Sequence, residues 1–504
     1  MRPATVRAAV DAQAAARPGA PYFISPEAGR ALSFGGLRDA ALRLHGQLRA
    51  LGAVPGDKVA LYMGNGIATA QLFVGAMYGG YTVVPLNLLA QGAQLEYVLG
   101  HCDARLVFVA PQEMEKVAAA VARLARPLRL VAVDPDAADL YPDAAHAPLA
   151  PVDEGDDALM MYTSGTTGTP KGVVLAQSAV IAGGRFVSEA HALGSADRVL
   201  GSLPLYHING QIVQATSPLV HGGSVVMPHR FSASAFWRLA AEHRCTWINV
   251  VPTIISYLLA GPDPRGEGLD ISAIRFCRSA SAPLAPEHHR AFEAKFGIEV
   301  IETMGLTETA APCFTNPLER ARRKIGSPGR AFGNEAKIVA PDGRALGPRE
   351  TGEILVRGAN VMKGYYKAPE ETAKALEPDG WLHTGDLGYL DEDGFVFVTG
   401  RLKELIIKGG ENIAPREVDE ALIRHPAVLE AAAVGIPDEH YGQEIFACVI
   451  LKPGARVEEE ELKAFCRAEI GPYKTPRMIR VVDELPRGPS GKVQRLKLVE
   501  LANA

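Results

Sequence analysis

Through its first 330 or so residues the chain alternates short apolar runs with stretches of helical period, and this alternation restricts the fold more than any other feature. Leu106–Ala110, Leu128–Val133, Ala158–Tyr162, Val199–Leu203 and Trp247–Val251 read as strands buried on both faces, with helices such as Met114–Leu124 and Ala233–His243 between them. Strands alternating with helices predict α/β layers built on parallel sheets. No charged residue occurs between Lys58 and Glu96, which invites comparison with a membrane span. However, Gly64-Asn65-Gly66, Gly79-Gly80 and Pro85-Leu86-Asn87 interrupt every apolar run before about 18 residues accumulate. The stretch therefore reads as a strand (Val59–Met63), a helix (Ile67–Met77) and a second strand (Tyr81–Val84).

From about residue 330 the texture changes. Ala336–Val339, Gly352–Arg357 and Phe395–Val398 are short strands separated by PDG and DEDG turns, which predicts β hairpins. The C-terminal part predicts a small α+β unit joined near Gly400-Arg401. Its helix starting at Pro415 places Val418, Ala421 and Leu422 on one face; strands Val428–Val434 and Ile445–Leu451 follow. A helix Glu458–Ile470, with Leu462, Phe465 and Cys466 inward, and a strand Arg480–Val482 complete it.

Composition narrows the function classes. With 47% apolar and 22% charged residues in 504, the chain can bury a large core and is not disordered. Its 57 acidic and 52 basic residues give a net charge of −5 without a basic block, so there is no electrostatic footprint for nucleic acid. Six scattered cysteines, none in a CxxC, fit small buried residues in a reducing compartment better than disulfides or zinc ligands. Arginines and Asp11 within the alanine-rich N-terminus predict an amphipathic helix and not a signal peptide. The expectation is a cytoplasmic protein without membrane insertion. The 51 glycines and 36 prolines exceed the average share of roughly 12%, which raises the question of where they cluster.

The densest cluster is Tyr162-Thr163-Ser164-Gly165-Thr166-Thr167-Gly168-Thr169-Pro170-Lys171-Gly172, directly after the strand Ala158–Tyr162. Glycines let backbone N–H groups approach phosphate oxygens, hydroxyls add donors and Lys171 adds a mobile positive charge. Pro170 and the glycine after Lys171 depart from G-x4-G-K-[ST], so the loop is not a Walker A motif.

This segment resembles the phosphate loop of the adenylate-forming superfamily, in its acyl-CoA synthetase branch. The other family motifs follow in order: Pro204-Leu205-Tyr206-His207, Ser279-Ala280-Ser281-Ala282-Pro283-Leu284, Glu302-Thr303-Met304-Gly305-Leu306-Thr307-Glu308 and Gly364-Tyr365-Tyr366. Then come Trp381-Leu382-His383-Thr384-Gly385-Asp386, Gly400-Arg401-Leu402-Lys403 with the run to Lys408, and Pro489-Ser490-Gly491-Lys492. The resemblance covers essentially the whole chain. It implies an N-terminal AMP- and acyl-binding domain (1–400, β-rich from about 330), a hinge (401–403) and a mobile C-terminal domain (404–504). It also implies two half-reactions: a carboxylate attacks the α-phosphate of ATP and releases pyrophosphate, then the CoA thiol attacks the acyl-adenylate.

A carboxylate meeting a polyphosphate needs cations and oriented donors more than a covalent nucleophile. By resemblance Lys492 bridges carboxylate and α-phosphate, Thr307 contacts the α-phosphate and Glu308, with Thr307, holds Mg²⁺. Thr163, Ser164, Gly165, Thr166, Thr167, Gly168, Lys171, Ser281, Ala282, Pro283, Glu302, Thr303 and Met304 are expected around ATP, with Asp386 and Arg401 on the ribose. Met304 stands where the family usually has an aromatic ring to stack on adenine, and Gln177 where related sequences often carry a histidine. Lys403 takes the hinge position, and Gly409, Gly410, Glu411 and Asn412 are expected to face CoA after rotation.

His207 resembles the gate between the carboxylate site and the pantetheine tunnel. The acyl pocket is expected to include Asn209, Gln211, Trp247, Asn249, Val251, Arg278, Ser279, Ala280 and Gly305. Asn209, Gln211 and Asn249 are polar for a fatty-acyl tunnel, whose walls should be apolar. Arg278 either pairs with a second anionic group or is an exposed structural arginine. The expected substrate is a short or polar acid with a distal charge; the expected acceptor is CoA. The alternatives are loading of a carrier protein and a non-catalytic acyl-nucleotide binder.

Overall fold

The computed structural model describes residues 3–90, 92–163, 169–487 and 493–502. Four sheets organise the described residues. The first has seven strands, in the order Gly364–Tyr365, Lys171–Ala176, Asp157–Thr163, Thr82–Pro85, Lys58–Tyr62, Ala104–Val109, Arg129–Ala132. Its last five strands are parallel, and the two at the other edge are antiparallel. The second has nine strands, with Ser224–Val226, Arg198–Gly201, Trp247–Val250, Phe276–Ser279 and Val300–Leu306 as parallel neighbours near its middle.

One core cluster joins both sheets, and the helix Ile67–Tyr78 lies within it with all twelve residues buried. That burial explains the uncharged stretch after Lys58: a helix that is apolar all round belongs inside a large domain. Among the described residues no helix is long and apolar enough to cross a membrane. The N-terminal helix Val6–Ala16 is amphipathic, burying Val6, Ala9, Val10 and Ala14.

One strand departs from expectation. Arg129–Ala132, read as buried on both faces, is the edge of the seven-stranded sheet with Arg129 and Ala132 exposed. Leu128 and Val133, just outside it, are buried instead.

The hairpins expected after residue 330 form an antiparallel four-stranded sheet, Asn334–Val339, Gly352–Gly358, Leu382–Leu390 and Val396–Arg401. The C-terminal sheet is built on the long hairpin Val428–Asp438/Gly442–Leu451, covered by the helices Pro415–Ile423 and Glu459–Lys474. On the second helix Leu462 and Cys466 are fully buried, whereas Phe465 is half-buried and packs edge-on against His425. All six cysteines are buried and free.

Candidate active site

Four neighbouring strands of the nine-stranded sheet deliver the site. Arg198–Gly201, Trp247–Val250, Phe276–Ser279 and Val300–Leu306 end at the same edge, and their following segments carry His207, Ala280–Pro283 and Thr307-Glu308. Ligands of α/β sheets bind outside the carboxyl ends of parallel strands. A cavity of about 750 Å³ opens there, lined by Thr163, Lys171, His207, Asn209, Arg278, Ala280, Ser281, Gly305, Thr307, Glu308, Arg401 and Lys403, among others. A narrower cleft of about 240 Å³ adjoins it and is walled by Ala282, Pro283, Glu302, Thr303, Met304 and Asp386. Ser281, Gly305, Leu306, Arg401 and Arg487 line both.

The described ends of the glycine-rich segment are strands. Thr163 pairs with Lys171 across two antiparallel strands, so no helix N-terminus follows it as in a Walker A motif. Ser164, Gly165, Thr166, Thr167 and Gly168 lie outside the described residues, as does Lys492. Lys171 forms an ion pair with Glu371 and sits 5.0 Å from the centre of the Tyr365 ring. Lys374 also holds Glu371, at 2.9 Å. Between them the two lysines keep the Glu371 carboxyl down at about 2.

The remaining nucleotide-side groups are paired as well. Arg401 Nε donates to Asp386 Oδ1 at 2.7 Å, across an antiparallel pair that places the two residues opposite each other. The Tyr365 hydroxyl donates to Glu308 Oε1 at 3.0 Å; desolvation holds that carboxyl above the usual range. Glu302 is buried, accepts from the Leu284 amide at 3.1 Å and leaves its other oxygen without a partner among the described residues. Burial pushes its carboxyl up to about 7. Gly305 fits where no side chain would: an added Cβ would lie 1.7 Å from the Ala311 carbonyl oxygen.

The acid side is different. Arg278 is 1% exposed, which overturns the reading of an exposed structural arginine. Among the described residues no carboxylate pairs with it. Its Nη1 donates to Asn249 Oδ1 at 2.9 Å and to Asn209 Oδ1 at 3.3 Å, and its Nε has no partner among the described residues. Desolvation pulls the guanidinium down to about 9. His207 is neutral, with burial lowering it to about 4, and its Nδ1 accepts from the Asn209 amide at 3.2 Å. Asn209 begins an eight-residue π-helix, Asn209–Thr216, a rare form that often marks functional sites.

Five residues expected in the acyl pocket do not line the cavity. Trp247, at the start of its strand and away from the end that faces the cavity, stacks on Phe276 and His191 in the core. Gln211 donates to the Leu205 carbonyl at 2.7 Å, Ser279 is fully buried, and Asn249 stands one layer behind Asn209. Val251 is buried in the core beside the sheet. Gln177 is also structural, accepting from the Val6 amide and donating to the Met77 carbonyl, so it clamps the first helix far from the cavity. Gly409, Gly410, Glu411 and Asn412 form an exposed turn that lines neither cavity.

Sequence reading quoted Tyr365 within a motif without a role and assigned none to Glu371, Asn65 or Arg487. Asn65 holds the loop before His207 through the Leu205 amide and the Leu203 carbonyl. Arg487 bonds Thr253 at 2.8 Å and pairs with Glu430, linking the C-terminal segment to the large domain. The adjacent Gly-Pro-Ser-Gly-Lys run was the available signal for Arg487.

The family described as AMP-binding enzyme matches residues 10–366, and the AMP-binding enzyme C-terminal domain matches residues 417–492. The chain belongs to the AMP-binding enzyme family. It is 56% identical over 99% of its length to a sulfoacetate–CoA ligase of Cupriavidus necator, covering 98% of that protein. ATP-bound MatB from Rhodopseudomonas palustris superposes with a TM-score of 0.91 at 30% identity, covering 99% of each chain. Apo MatB, at the same identity and coverage, gives 0.80. This AMP-binding enzyme is therefore an AMP-forming acid–CoA ligase: it activates a small carboxylic acid with ATP as the acyl-adenylate and transfers the acyl group to CoA.

Proposed function

We propose that the chain activates a short acid carrying a second, distal anion, and that sulfoacetate is that acid. The observation that carries this reading is Arg278: a buried guanidinium on the cavity wall with no carboxylate partner among the described residues. An unpaired buried charge costs several kcal/mol, and an anion supplied by the substrate offsets that cost. A fatty acid has nothing to place there. The similarity to a sulfoacetate–CoA ligase supports a sulfonate as the distal group.

The remaining roles follow the chemistry of each side chain. The phosphate loop Thr163–Gly168 and Lys171 hold the β- and γ-phosphates, Thr307 the α-phosphate, and Asp386 with Arg401 the ribose. Ala282, Pro283, Glu302, Thr303 and Met304 wall the adenine cleft, where the Met304 thioether covers the ring. Glu308 would hold Mg²⁺: among the described residues no group of three or more metal-ligating side chains occurs, which suits an ion bound through one carboxylate and substrate phosphates. When bound it would neutralise phosphate charge. Lys492 bridges the reacting carboxylate and α-phosphate. Neutral His207 gates the path to the pantetheine thiol.

The division at 1–400, 401–403 and 404–504, with Lys403 as hinge, belongs to the same reading. The better superposition on ATP-bound than on apo MatB supports an adenylation arrangement here, with Gly409–Asn412 brought to the thiol only after rotation. A cytoplasmic location suits a chain using ATP and CoA.

Pyrophosphate release and AMP formation across an acid panel, each with and without CoA, test the reading. Sulfoacetate should lead, with propionate and long-chain acids far behind; strong preference for chains beyond about ten carbons would overturn it.

A further inference from the structure

The carboxamides between Arg278 and the cavity point in one direction only. Every N–H of a guanidinium is a donor, so both asparagines that meet it must present oxygen. Arg278 Nη1 does donate to Asn249 Oδ1 and Asn209 Oδ1. Asn249 Nδ2 donates to the same Asn209 oxygen at 3.0 Å, which leaves Asn209 Nδ2 turned the other way, toward Ser281 Oγ at 3.0 Å. The Ser281 oxygen is thus an acceptor from the protein, and its own proton has no acceptor among the described residues.

Ser281 is also placed unusually. Its φ of +74° lies in the left-handed region, a conformation that costs a non-glycine residue about 1–3 kcal/mol and clusters at functional sites. It is one of the five residues shared by the two cavities, at the point where an acid in one would meet the α-phosphate of a nucleotide in the other.

We propose that the Ser281 hydroxyl donates a hydrogen bond at the reacting centre, to the acid carboxylate or an α-phosphate oxygen, and that Asn209 and Asn249 are the positioning residues that aim it. The guanidinium of Arg278 sets the direction of the chain Asn249–Asn209–Ser281, whatever its remaining N–H groups bind. This rests on the reading of the larger cavity as the acid site, and not on the identity of the acid.

Pyrophosphate exchange with sulfoacetate and with propionate tests it. Ser281→Ala and Ser281→Gly should both lower kcat about tenfold or more, for both acids, with the KM for acid little changed. Equal losses in the two variants exclude a backbone effect, since glycine relieves the positive φ and alanine does not. Asn249→Ala, which touches no ligand, should lower kcat in the same sense but add nothing in the Ser281→Ala background. Asn249→Ser, which keeps an acceptor for Arg278 and a donor for Asn209, should retain most of the rate and covers the case in which Asn249→Ala fails to fold. Full activity of either Ser281 variant, recovery in Ser281→Gly alone, or additive losses in the double variant would overturn the proposal. Wild-type indifference between sulfoacetate and propionate would sink the reading of Arg278 and leave the Ser281 comparison intact.

Discussion

The two halves of the catalytic cleft handle charge in opposite ways. On the nucleotide side three ionic groups already have partners in the protein: Arg401 with Asp386, Lys171 with Glu371, Glu308 with the Tyr365 hydroxyl. On the acid side Arg278 is buried and, among the described residues, bonds only two carboxamide oxygens. A nucleotide exchanges one set of partners for another, so its site is stable when empty. The acid instead completes an electrostatic arrangement that the protein leaves open, and discrimination is concentrated there: a site built to pair a group penalises analogues that lack it.

The largest effect expected on the nucleotide side is that of Lys492→Ala. Pyrophosphate exchange should fall by about a hundredfold to a thousandfold, while thioester formation from supplied acyl-adenylate changes much less. Equal losses in both assays would remove Lys492 from the first half-reaction. Gly305→Ala probes the boundary between the halves. Its Cβ would meet the Ala311 carbonyl, so thermal unfolding should show a loss of about 1–3 kcal/mol. Unchanged stability would mean that this backbone moves aside freely.

Glu302 sharpens the comparison through pH. Its carboxyl is raised to about 7 in the fold against an ordinary 4.5, so between those values the folded chain holds a proton that the unfolded chain has lost. Its contribution to stability is fully present below about 4.5, declines as pH rises and levels off above about 7. Glu302→Gln should therefore raise Tm relative to wild type at pH 8 and not at pH 4.5. A pH-independent difference would contradict the buried neutral carboxyl. The smallest effect is expected from Glu371→Gln. Freeing Lys171 from an exposed carboxylate should tighten ATP binding by a few-fold at most, in steady-state KM for ATP. Weaker binding would mean that Glu371 helps to hold the phosphates' lysine in place.

Which residues line the nucleotide side was legible in the sequence because they come in contiguous motifs: Thr163 and Lys171 in one segment, Thr307-Glu308 directly after a strand, and Asp386 within the strand Leu382–Leu390. The α/β alternation and the C-terminal α+β unit were legible for the same reason, since strand and helix periods are local. The acid half was legible only in part: a short or polar acid and the names Arg278, Asn209 and Asn249 were expected, but not how they sit together. Arg278 is in plain view beside Ser279-Ala280-Ser281, but its burial depends on Asn209 and Asn249, which come from two other segments of the nine-stranded sheet's edge. Trp247 and Asn249 are two residues apart on one strand; Trp247 lies in the core cluster and Asn249 backs the pocket wall. Arg129–Ala132 looked like an inner strand because nothing in four residues says that it ends a sheet. Glu371 belongs to a helix with no motif of its own.

The central claim is that Arg278 leaves a charge for the substrate to complete. The most direct measurement is the ratio of kcat/KM for sulfoacetate to that for propionate, in wild type and in Arg278→Met. Loss of one partner of a buried, hydrogen-bonded charge pair costs about 2–5 kcal/mol, and the ratio should collapse by a corresponding factor, beyond the loss that a misaimed Ser281 hydroxyl imposes on both acids alike. The ligand-free variant should unfold at a Tm no lower than wild type, because an uncompensated buried cation has been removed. A ratio unchanged by the substitution, or an equal loss with both acids, would contradict the account.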